Sequence, residues 1–294
     1  MMKALCVFPC LFFLLGSRAI EGAAGIIGSS KDPSSYSNVD QFMPSYMSFD
    51  IAVSFDDSSI SGTVTHTLVV LESNVTTVYL DVWDGLTLSM AEVKTGDDDF
   101  VEVPFDITTP NVNIGNALAV TLPDELMNGT ELFLRFTYAT TVDSYAVSWM
   151  TPAQTAGKKL PFLYSLCQMN YCRDFAPMMD TPSMKITYDA SVTSPKEFLV
   201  AMSANETGVM EVNSTHKITM FNCTVKIPSY LIAILAGDLE VKSLSDRVRV
   251  MSEPSLLDAA AEEFVDLVQA MDVVETYLTP YIWGNYTIVF MPPR

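Results

Sequence analysis

The sequence is poor in basic residues. Lys and Arg number 16 against 35 Asp and Glu, which gives the 294-residue chain a formal net charge of −19. A chain this acidic repels a phosphate backbone unless its basic side chains form a stripe, and no such stripe occurs. We therefore predict no nucleic-acid partner. The acidity is typical of a soluble glycoprotein, and it would also attract cationic peptides.

Histidine is scarcer still, because His66 and His216 are the only two. A catalytic zinc usually has three protein ligands and an open position, commonly with two His four residues apart on one helix. The two imidazoles lie far apart in predicted strands, and the sequence has no H-E-x-x-H motif. The sequence therefore predicts no metal site and no catalytic residue in this chain. The motifs of serine hydrolases, P-loop proteins and Rossmann proteins are missing too.

No apolar run reaches the roughly 20 residues that a membrane-spanning helix needs. The run at residues 4–15 follows Met-Met-Lys and precedes the small residues Gly16, Ser17 and Ala19. This order is typical of a secretory signal peptide. We predict that residues 1–24 are removed as a signal peptide, which leaves a secreted chain without a membrane span. An uncleaved anchor is the alternative.

Cysteine is also limited in the mature chain, because Cys6 and Cys10 fall in the predicted signal peptide. The remaining three, Cys167, Cys172 and Cys223, are an odd number in an oxidising compartment, so at most one internal disulfide forms. Cys167 and Cys172 are close in sequence and would leave Cys223 over, whereas three buried thiols are the alternative. Zinc binding by three thiols without a fourth ligand is disfavoured.

Acceptor sequons for N-glycosylation are numerous. In each, an Asn is followed by a residue other than Pro and then by Thr. The six acceptors are Asn74, Asn128, Asn205, Asn213, Asn222 and Asn285. Together with the signal peptide they predict a glycoprotein. Because an attached glycan cannot be packed inside a core, we expect these positions to face solvent.

Short alternating segments dominate the chain after a lead-in. Residues 25–40 are rich in Gly and Ser without an apolar period, which predicts a flexible lead-in. Beyond it apolar and polar residues alternate, for example at Phe49, Ile51 and Val53, with the period of a half-buried strand. Further strands are predicted at 64–71, 78–82, 86–93, 117–122, 132–138, 184–192, 198–202, 217–225 and 230–235. The sequence therefore predicts a mainly β fold, with an antiparallel domain of sandwich or saddle shape at residues 41–244.

The pattern changes near the end of the chain. Strands are predicted at 248–251 and 286–290. Between them, Pro254 can occupy the first turn of a helix, and apolar residues recur at helical spacing as far as Leu278. One helix between two strands is too little for an independent core, so residues 245–294 are predicted to open a second domain.

A long aromatic-bearing excursion separates two of the predicted strands, from Trp149 to Lys185. Loops of this length in compact domains are often functional. The excursion carries Gln168, Arg173 and Asp180, whose polar side chains are candidates for burial. From its surroundings alone, Gln168 is either a hydrogen-bonded structural group or a group that orients a ligand.

Five runs of the sequence carry a resemblance. They are W-M-T-P-A-Q-T-A-G-K-K from Trp149, L-Y-S-L-C-Q-M-N-Y-C-R from Leu163, P-M-M-D-T-P-S-M-K from Pro177, P-S-Y-L-I-A-I-L-A-G-D-L-E from Pro228 and P-Y-I-W-G-N-Y from Pro280. In this order they resemble the leukotriene A4 hydrolase and aminopeptidase B branch of the gluzincin zinc aminopeptidases. The likeness covers residues 41–293. It implies a saddle-shaped β domain at 41–244, followed at 245–294 by the truncated α+β start of a thermolysin-like zinc domain.

The resemblance also implies roles for single residues. The residue that matches Gln168 is implied to contact the free α-amino end of a peptide or to line the first side-chain pocket. Arg173 and Asp180 match positions implied to hold the loop in place through a charge-assisted pair. The sequence departs from the family at Leu166, where Gln is usual, and at Met178, where Cys is usual.

The function implied is that of the N-terminal substrate-cleft domain of a secreted zinc aminopeptidase. The full-length parent would use zinc to remove N-terminal residues from peptides. The family's glycine-rich Met-Glu-Asn segment and zinc helix would follow Pro293, so we expect this chain to be a fragment or incomplete gene model, without a cofactor and inactive alone. The alternative is a non-catalytic, secreted β-rich binding glycoprotein derived from the same family.

Overall fold

Most of the chain forms β-strands, as the alternation of apolar and polar residues predicts. The computed structural model describes residues 4–6 and 32–292. The rest of the predicted signal peptide, residues 1–24, and the first part of the predicted lead-in lie outside the described residues. The strands are β1 (Ala4–Cys6), β2 (Phe42–Ser54), β3 (Ser59–Val70), β4 (Val75–Val82), β5 (Leu86–Thr95), β6 (Val101–Glu102), β7 (Phe105–Asn111), β8 (Gly115–Leu126), β9 (Glu131–Thr140), β10 (Val147–Met150), β11 (Phe162–Ser165), β12 (Lys185–Pro195), β13 (Leu199–Met202), β14 (Asn205–Glu211), β15 (His216–Pro228), β16 (Ile234–Gly237), β17 (Glu240–Ser243), β18 (Val248–Ser252) and β19 (Tyr286–Phe290).

Helical segments are few and short. The α-helices are α1 (Leu257–Glu263) and α2 (Leu267–Tyr277), and 3-10 turns occur at Pro152–Gln154, Cys172–Asp174, Ser229–Leu231 and Pro254–Leu256. Among the described residues, no helix is both long and apolar enough to cross a membrane.

The largest sheet has eight strands in the order β14-β15-β12-β2-β3-β9-β5-β6. Its neighbours run antiparallel except β12 and β2, which are parallel. The prediction of a mainly β, antiparallel domain is therefore confirmed, with this one parallel pair inside the sheet. Along β9 every second residue from Leu132 to Thr140 is buried, because successive side chains of a strand point to opposite faces.

The main core lies among three sheets. The eight-stranded sheet contributes Phe49 and Phe136, the three-stranded sheet β4-β8-β7 contributes Leu80 and Val120, and a four-stranded sheet, β10-β11-β16-β13, contributes Leu163. None of these five side chains is more than 1% exposed. Each buried Leu or Phe side chain contributes roughly 1.5–3 kcal/mol of transfer free energy, so this cluster is the main source of stability.

The predicted excursion after Trp149 is not a continuous loop, because it contains β11. This strand pairs with β10 on one side and with β16 on the other. All four residues of β11 are buried, so the strand lacks the alternation that predicts strands from sequence.

The end of the chain forms a separate small sheet together with β1 from its start, in the order β1-β19-β18-β17. β18 and β19 are parallel and are joined through α1 and α2. The predicted single helix is two helices, because the backbone leaves helical geometry at Phe264, whose ring packs edge-on against Phe290 with centroids 5.3 Å apart. Val248 and Val250 pack with Met271 under these helices.

The last part of the predicted lead-in is ordered and buried. The hydroxyls of Ser35 and Ser37 donate to Asp81 Oδ2 at 2.6 and 2.7 Å, and the N–H of Tyr36 donates to Asp81 Oδ1 at 2.7 Å. Tyr36 is 1% exposed. Small polar residues that are typical of flexible segments here satisfy a buried carboxylate. The flexible lead-in predicted for residues 25–40 therefore does not extend over these three residues.

Candidate functional site

Gln168 lies on a loop that projects from the end of β11. Gln168 and Met169 are exposed, Met169 to 81%, whereas Cys167 and Cys172 on either side are buried. The peptide bond between Gln168 and Met169 is cis. The loop therefore presents the Gln168 side chain at the surface between two buried ends.

A disulfide between Cys167 and Cys172 closes this loop at its base. Their Cα atoms lie 4.4 Å apart, and the N–H of Tyr171 donates to the carbonyl of Cys167 at 2.8 Å. In the chain-entropy description, a cross-link over so short a loop contributes about 2 kcal/mol by restricting the unfolded chain. Of the two cysteine arrangements left open by the sequence, the structure has the disulfide, with Cys223 as a buried free thiol.

Arg173 anchors the loop from the interior. Its side chain is fully buried, and its guanidinium donates from Nε to Asp180 Oδ2 at 3.1 Å and from Nη2 to the Asp180 carbonyl at 2.9 Å. Nη1 donates to the carbonyl of Ile114 at 2.5 Å. The structure therefore brings Arg173 and Asp180 together as an ion pair with charge-assisted hydrogen bonds, which are stronger than neutral ones.

Asp81 is a third member of this network. Its Oδ1 lies 3.7 Å from Arg173 Nη1, and its Oδ2 accepts the N–H of Asp180 at 3.0 Å. Ser229 Oγ donates to Asp180 Oδ1 at 2.5 Å. Because buried charges persist only when they are paired, the network ties β4, the Gln168 loop and the end of β15 together. No sequence signal marks Asp81, which is 99 residues before Asp180.

Burial dominates the electrostatics beneath the loop. It raises the pKa of the Asp180 carboxyl even though Arg173 and Ser229 oppose the rise. It also raises the pKa of Asp174 to about 6, although the N–H of Tyr145 donates to that carboxylate at 2.5 Å. Gly85 is required beside Asp174, because a Cβ there would lie 2.4 Å from Asp174 Oδ1.

Three aromatic rings lie together beside the loop. Trp83 is 5.6 Å from Tyr145 and 5.7 Å from Tyr171 between ring centroids, and the two tyrosines are 6.0 Å apart. Tyr145 is 64% exposed. Such a cluster offers ring faces to an apolar or cationic side chain. Sequence reasoning missed it because the three rings come from three separate segments.

The two positions that depart from the family pattern differ in environment. Leu166 is 40% exposed on the Gln168 loop. Met178 is 1% exposed, and its backbone pairs with Asp81 in an isolated bridge. The exchange at Leu166 therefore alters the surface near Gln168, whereas the exchange at Met178 alters the packing below it.

Neither histidine is placed to bind a metal. Burial lowers the pKa of His66 to about 4, and its Nε2 donates to the carbonyl of Pro177 at 2.9 Å. His216 Nδ1 contacts the Thr215 hydroxyl at 2.8 Å. Within residues 32–292, no three His, Cys, Asp or Glu side chains form a group able to hold a metal ion. The residues present therefore do not fit zinc.

The six sequon asparagines fall into two groups. The exposed group is Asn74, Asn128 and Asn213, and the half-buried group is Asn205, Asn222 and Asn285. In the second group, Asn205 and Asn222 lie opposite each other on β14 and β15. The prediction that these positions face solvent therefore applies fully to the first group.

The sequence is similar to those of known proteins over most of its length. The model of the Peptidase M1 N-terminal domain family matches residues 33–231. Leukotriene A-4 hydrolase of Xenopus laevis is 34% identical over 264 residues, which are 89% of this chain and 42% of that protein. Aminopeptidase B of Rattus norvegicus is 39% identical over 192 residues, which are 65% of this chain and 29% of that protein.

Solved structures of similar proteins share the fold of this chain. The yeast LTA4 hydrolase in complex with bestatin has a TM-score of 0.78 and 29% identity, covering 89% of this chain and 40% of that one. An M1 zinc metallopeptidase of Deinococcus radiodurans, 23% identical, shares the fold with a TM-score of 0.68 over 86% of this chain and 57% of that one.

The chain spans about two fifths of the length of the leukotriene A4 hydrolases that it matches. The matched part contains the eight-stranded sheet and the loop that carries Gln168. The resemblance predicted from the five sequence runs is confirmed. This chain belongs to the M1 peptidase family through its N-terminal domain, within the leukotriene A4 hydrolase and aminopeptidase B group.

Proposed function

We propose that this chain is the substrate-cleft part of a secreted, leukotriene A4 hydrolase-like zinc aminopeptidase that acts on the N-termini of peptides. The observation that carries the proposal is the family match across the β domain, which includes the Gln168 loop. Two of the similar proteins are called leukotriene A-4 hydrolase and aminopeptidase B. Because the chain covers less than half of either, the activity of the whole protein is inferred from them.

Gln168 is the side chain that we assign to substrate. Its carboxamide has an oxygen that can accept from the α-ammonium group of a peptide and an NH₂ that can donate to a peptide carbonyl. The disulfide below it and the buried Arg173–Asp180 pair fix the loop that holds it. A polar group held on a rigid base aligns a substrate without a large loss of entropy on binding.

Hydrolysis itself is assigned to residues outside this chain. Among the described residues, no three His, Cys, Asp or Glu side chains form a group able to hold zinc, so no catalytic step is assigned to them. In the proposed whole protein, zinc and its ligands belong to the part of the relatives that this chain does not match. The chain by itself is therefore proposed to be inactive.

Secretion is supported by features of the sequence. The N-terminal run at residues 4–15 has the order of a signal peptide, and six sequons follow it. A disulfide between Cys167 and Cys172 also suits an oxidising compartment.

The first experiment examines the transcript and the activity of the chain. The messenger RNA is sequenced beyond codon 294, and we expect the reading frame to continue into an H-E-x-x-H motif.

The purified 294-residue chain is also assayed for bound zinc and for hydrolysis of aminoacyl amides, and we expect neither. Stoichiometric zinc with turnover would contradict the proposed inactivity. A stop codon directly after codon 294 of the transcript would favour the alternative, a non-catalytic binding glycoprotein.

The second experiment tests Gln168 in the longer protein. Gln168→Ala is expected to lower kcat/KM for aminoacyl amides by about 10- to 100-fold, because a positioning contact is lost, while the urea midpoint stays unchanged. Gln269→Ala is the matched control, because Gln269 is exposed on α2. Equal kinetics for the two variants would remove Gln168 from the site.

A further inference from the structure

A cavity of about 210 Å³ lies between the β domain and the final small sheet. On one side it is lined by β13, β15 and β16, through residues such as Ala201, Cys223 and Leu235. On the other side it is lined by β18 and β19. Gln168 is not among the lining residues, so this cavity is separate from the candidate site described above.

The wall formed by β18 and β19 combines apolar side chains with one cation. Arg249 pairs with Thr287 in the sheet, Met251 pairs with Val289, and all four residues line the cavity. Val250, between Arg249 and Met251, packs with the core under the helices on the other face. The strand alternation therefore places Arg249 on the cavity side.

Arg249 differs from the other arginines whose surroundings are known. Arg135, Arg173 and Arg247 each hold a carboxylate. Arg249 is a half-buried residue, and its guanidinium has no hydrogen bond and no ion pair with any residue that the structure describes. Glu206, the one carboxylate residue that lines the cavity, is exposed and forms no ion pair with Arg249 in the described chain. A partly buried cation without a partner costs free energy, which an anionic ligand would recover.

Aromatic and amide side chains complete the lining. Tyr281 and Trp283 have ring centroids 5.5 Å apart, and both line the cavity together with Asn205 and Asn285. Trp283 is 37% exposed. An apolar cavity with a few polar groups and one charged residue is the usual form of a small-molecule site.

We propose that this cavity binds a small apolar monocarboxylate, with its carboxylate on Arg249 and its apolar part among Ala201, Leu235 and Met251. A cavity of 210 Å³ lies between the roughly 150 Å³ that admits benzene and the roughly 300 Å³ of the smallest drug-sized pockets. It therefore suits a ligand larger than benzene and smaller than a drug-sized molecule. The net charge of −19 opposes polyanions such as phosphates, which leaves a single carboxylate as the favoured anion.

Octanoate, 1-octanol and octylamine test this assignment on the whole chain secreted from insect cells. Calorimetry is expected to give octanoate an affinity about tenfold higher than that of 1-octanol, because only the carboxylate forms charge-assisted hydrogen bonds. Octanoate should also slow the alkylation of Cys223 by iodoacetamide, followed by peptide mass spectrometry, because this thiol lines the cavity. Equal affinities for octanoate and octanol, a preference for octylamine, or no binding of any probe would each overturn the proposal.

Two variants locate the carboxylate. Arg249→Met keeps the length of the side chain and removes its charge, and it is expected to reduce octanoate binding to the level of octanol. Lys226→Met removes the same charge at an exposed position outside the cavity, and octanoate binding should not change. Far-UV circular dichroism and the urea midpoint check that both variants fold, and Arg249→Gln replaces Arg249→Met if that variant does not. Retention of the tenfold preference without the Arg249 charge would overturn the assignment.

Discussion

Glu253 accepts the backbone N–H of Gly157 on Oε1 at 2.9 Å, across 96 residues of sequence. Its other oxygen, Oε2, accepts the N–H of Ala156 at 2.8 Å. Glu253 is 2% exposed and follows β18 directly, whereas Ala156 and Gly157 belong to the turn before β11. One buried carboxylate therefore fastens the excursion of the β domain to the sheet that ends the chain.

The first prediction concerns this contact. Glu253→Gln leaves one oxygen acceptor where two N–H groups need one each, so we expect a loss of about 1–3 kcal/mol in the free energy of unfolding. Hydrogen exchange at Ala156 and Gly157 should become faster. Glu240→Gln is the control, because Glu240 is exposed on β17, and it should leave both measurements unchanged. Slow exchange in Glu253→Gln would show that the turn is held by other contacts.

The second prediction compares a buried and a partly exposed arginine. Arg173→Met leaves Asp180 and Asp81 buried without their cation, and loss of one partner of a buried pair typically costs about 3–5 kcal/mol. Arg135→Met breaks an ion pair with Glu92 in which Arg135 is 32% exposed, and such pairs contribute about 0–1 kcal/mol. Urea denaturation measures both. Similar losses of unfolding free energy in the two variants would show that the buried Arg173 network contributes no more to stability than a partly exposed ion pair.

Several of the strands that the sequence predicted have one buried face. In β2 and β9 each buried residue is followed by a more exposed one over long stretches, so the period is visible in the sequence. Strand β7 is exposed along almost its whole length, and strand β11 is buried throughout. Neither shows alternation, and both were missed for that reason.

The candidate site was predictable only in part. The sequence runs identified the family, and through it Gln168, Arg173 and Asp180. Asp81 was not predictable, because it comes from a distant strand and its role depends on how β4 packs against the loop. The cavity around Arg249 was not predictable either, because its two walls come from segments that meet only in the folded chain.

The third prediction concerns the occupancy of the glycosylation sites. Asn74, Asn128 and Asn213 are exposed, and we expect each to carry a glycan in nearly every secreted molecule. Asn205 should be occupied less, because a Cβ at Gly284 would lie 2.5 Å from its Oδ1, which shows how closely that backbone approaches. Mass spectrometry of peptides released after enzymatic deglycosylation in ¹⁸O-labelled water measures occupancy site by site. Full occupancy at Asn205 would contradict the predicted crowding.

The fourth prediction concerns the pH dependence of stability. Burial raises the pKa of Asp174 from 3.8 to about 6, so the folded chain holds this proton more tightly than the unfolded chain does. The resulting stabilisation is complete below pH 3.8 and is lost as the pH rises through about 6. This difference in pKa between the folded and unfolded chain corresponds to about 3 kcal/mol.

Asp174→Asn keeps an oxygen for the N–H of Tyr145 and cannot ionise. When the pH is raised from acidic to neutral, ionisation of Asp174 should therefore lower the free energy of unfolding of the wild type by about 3 kcal/mol, a loss that Asp174→Asn does not share. Every other titrating group is common to both chains and cancels in the difference. Asp143→Asn is the control, because Asp143 is exposed, and it should follow the wild type. Parallel curves for Asp174→Asn and the wild type would mean that Asp174 ionises in the folded chain as easily as in the unfolded one.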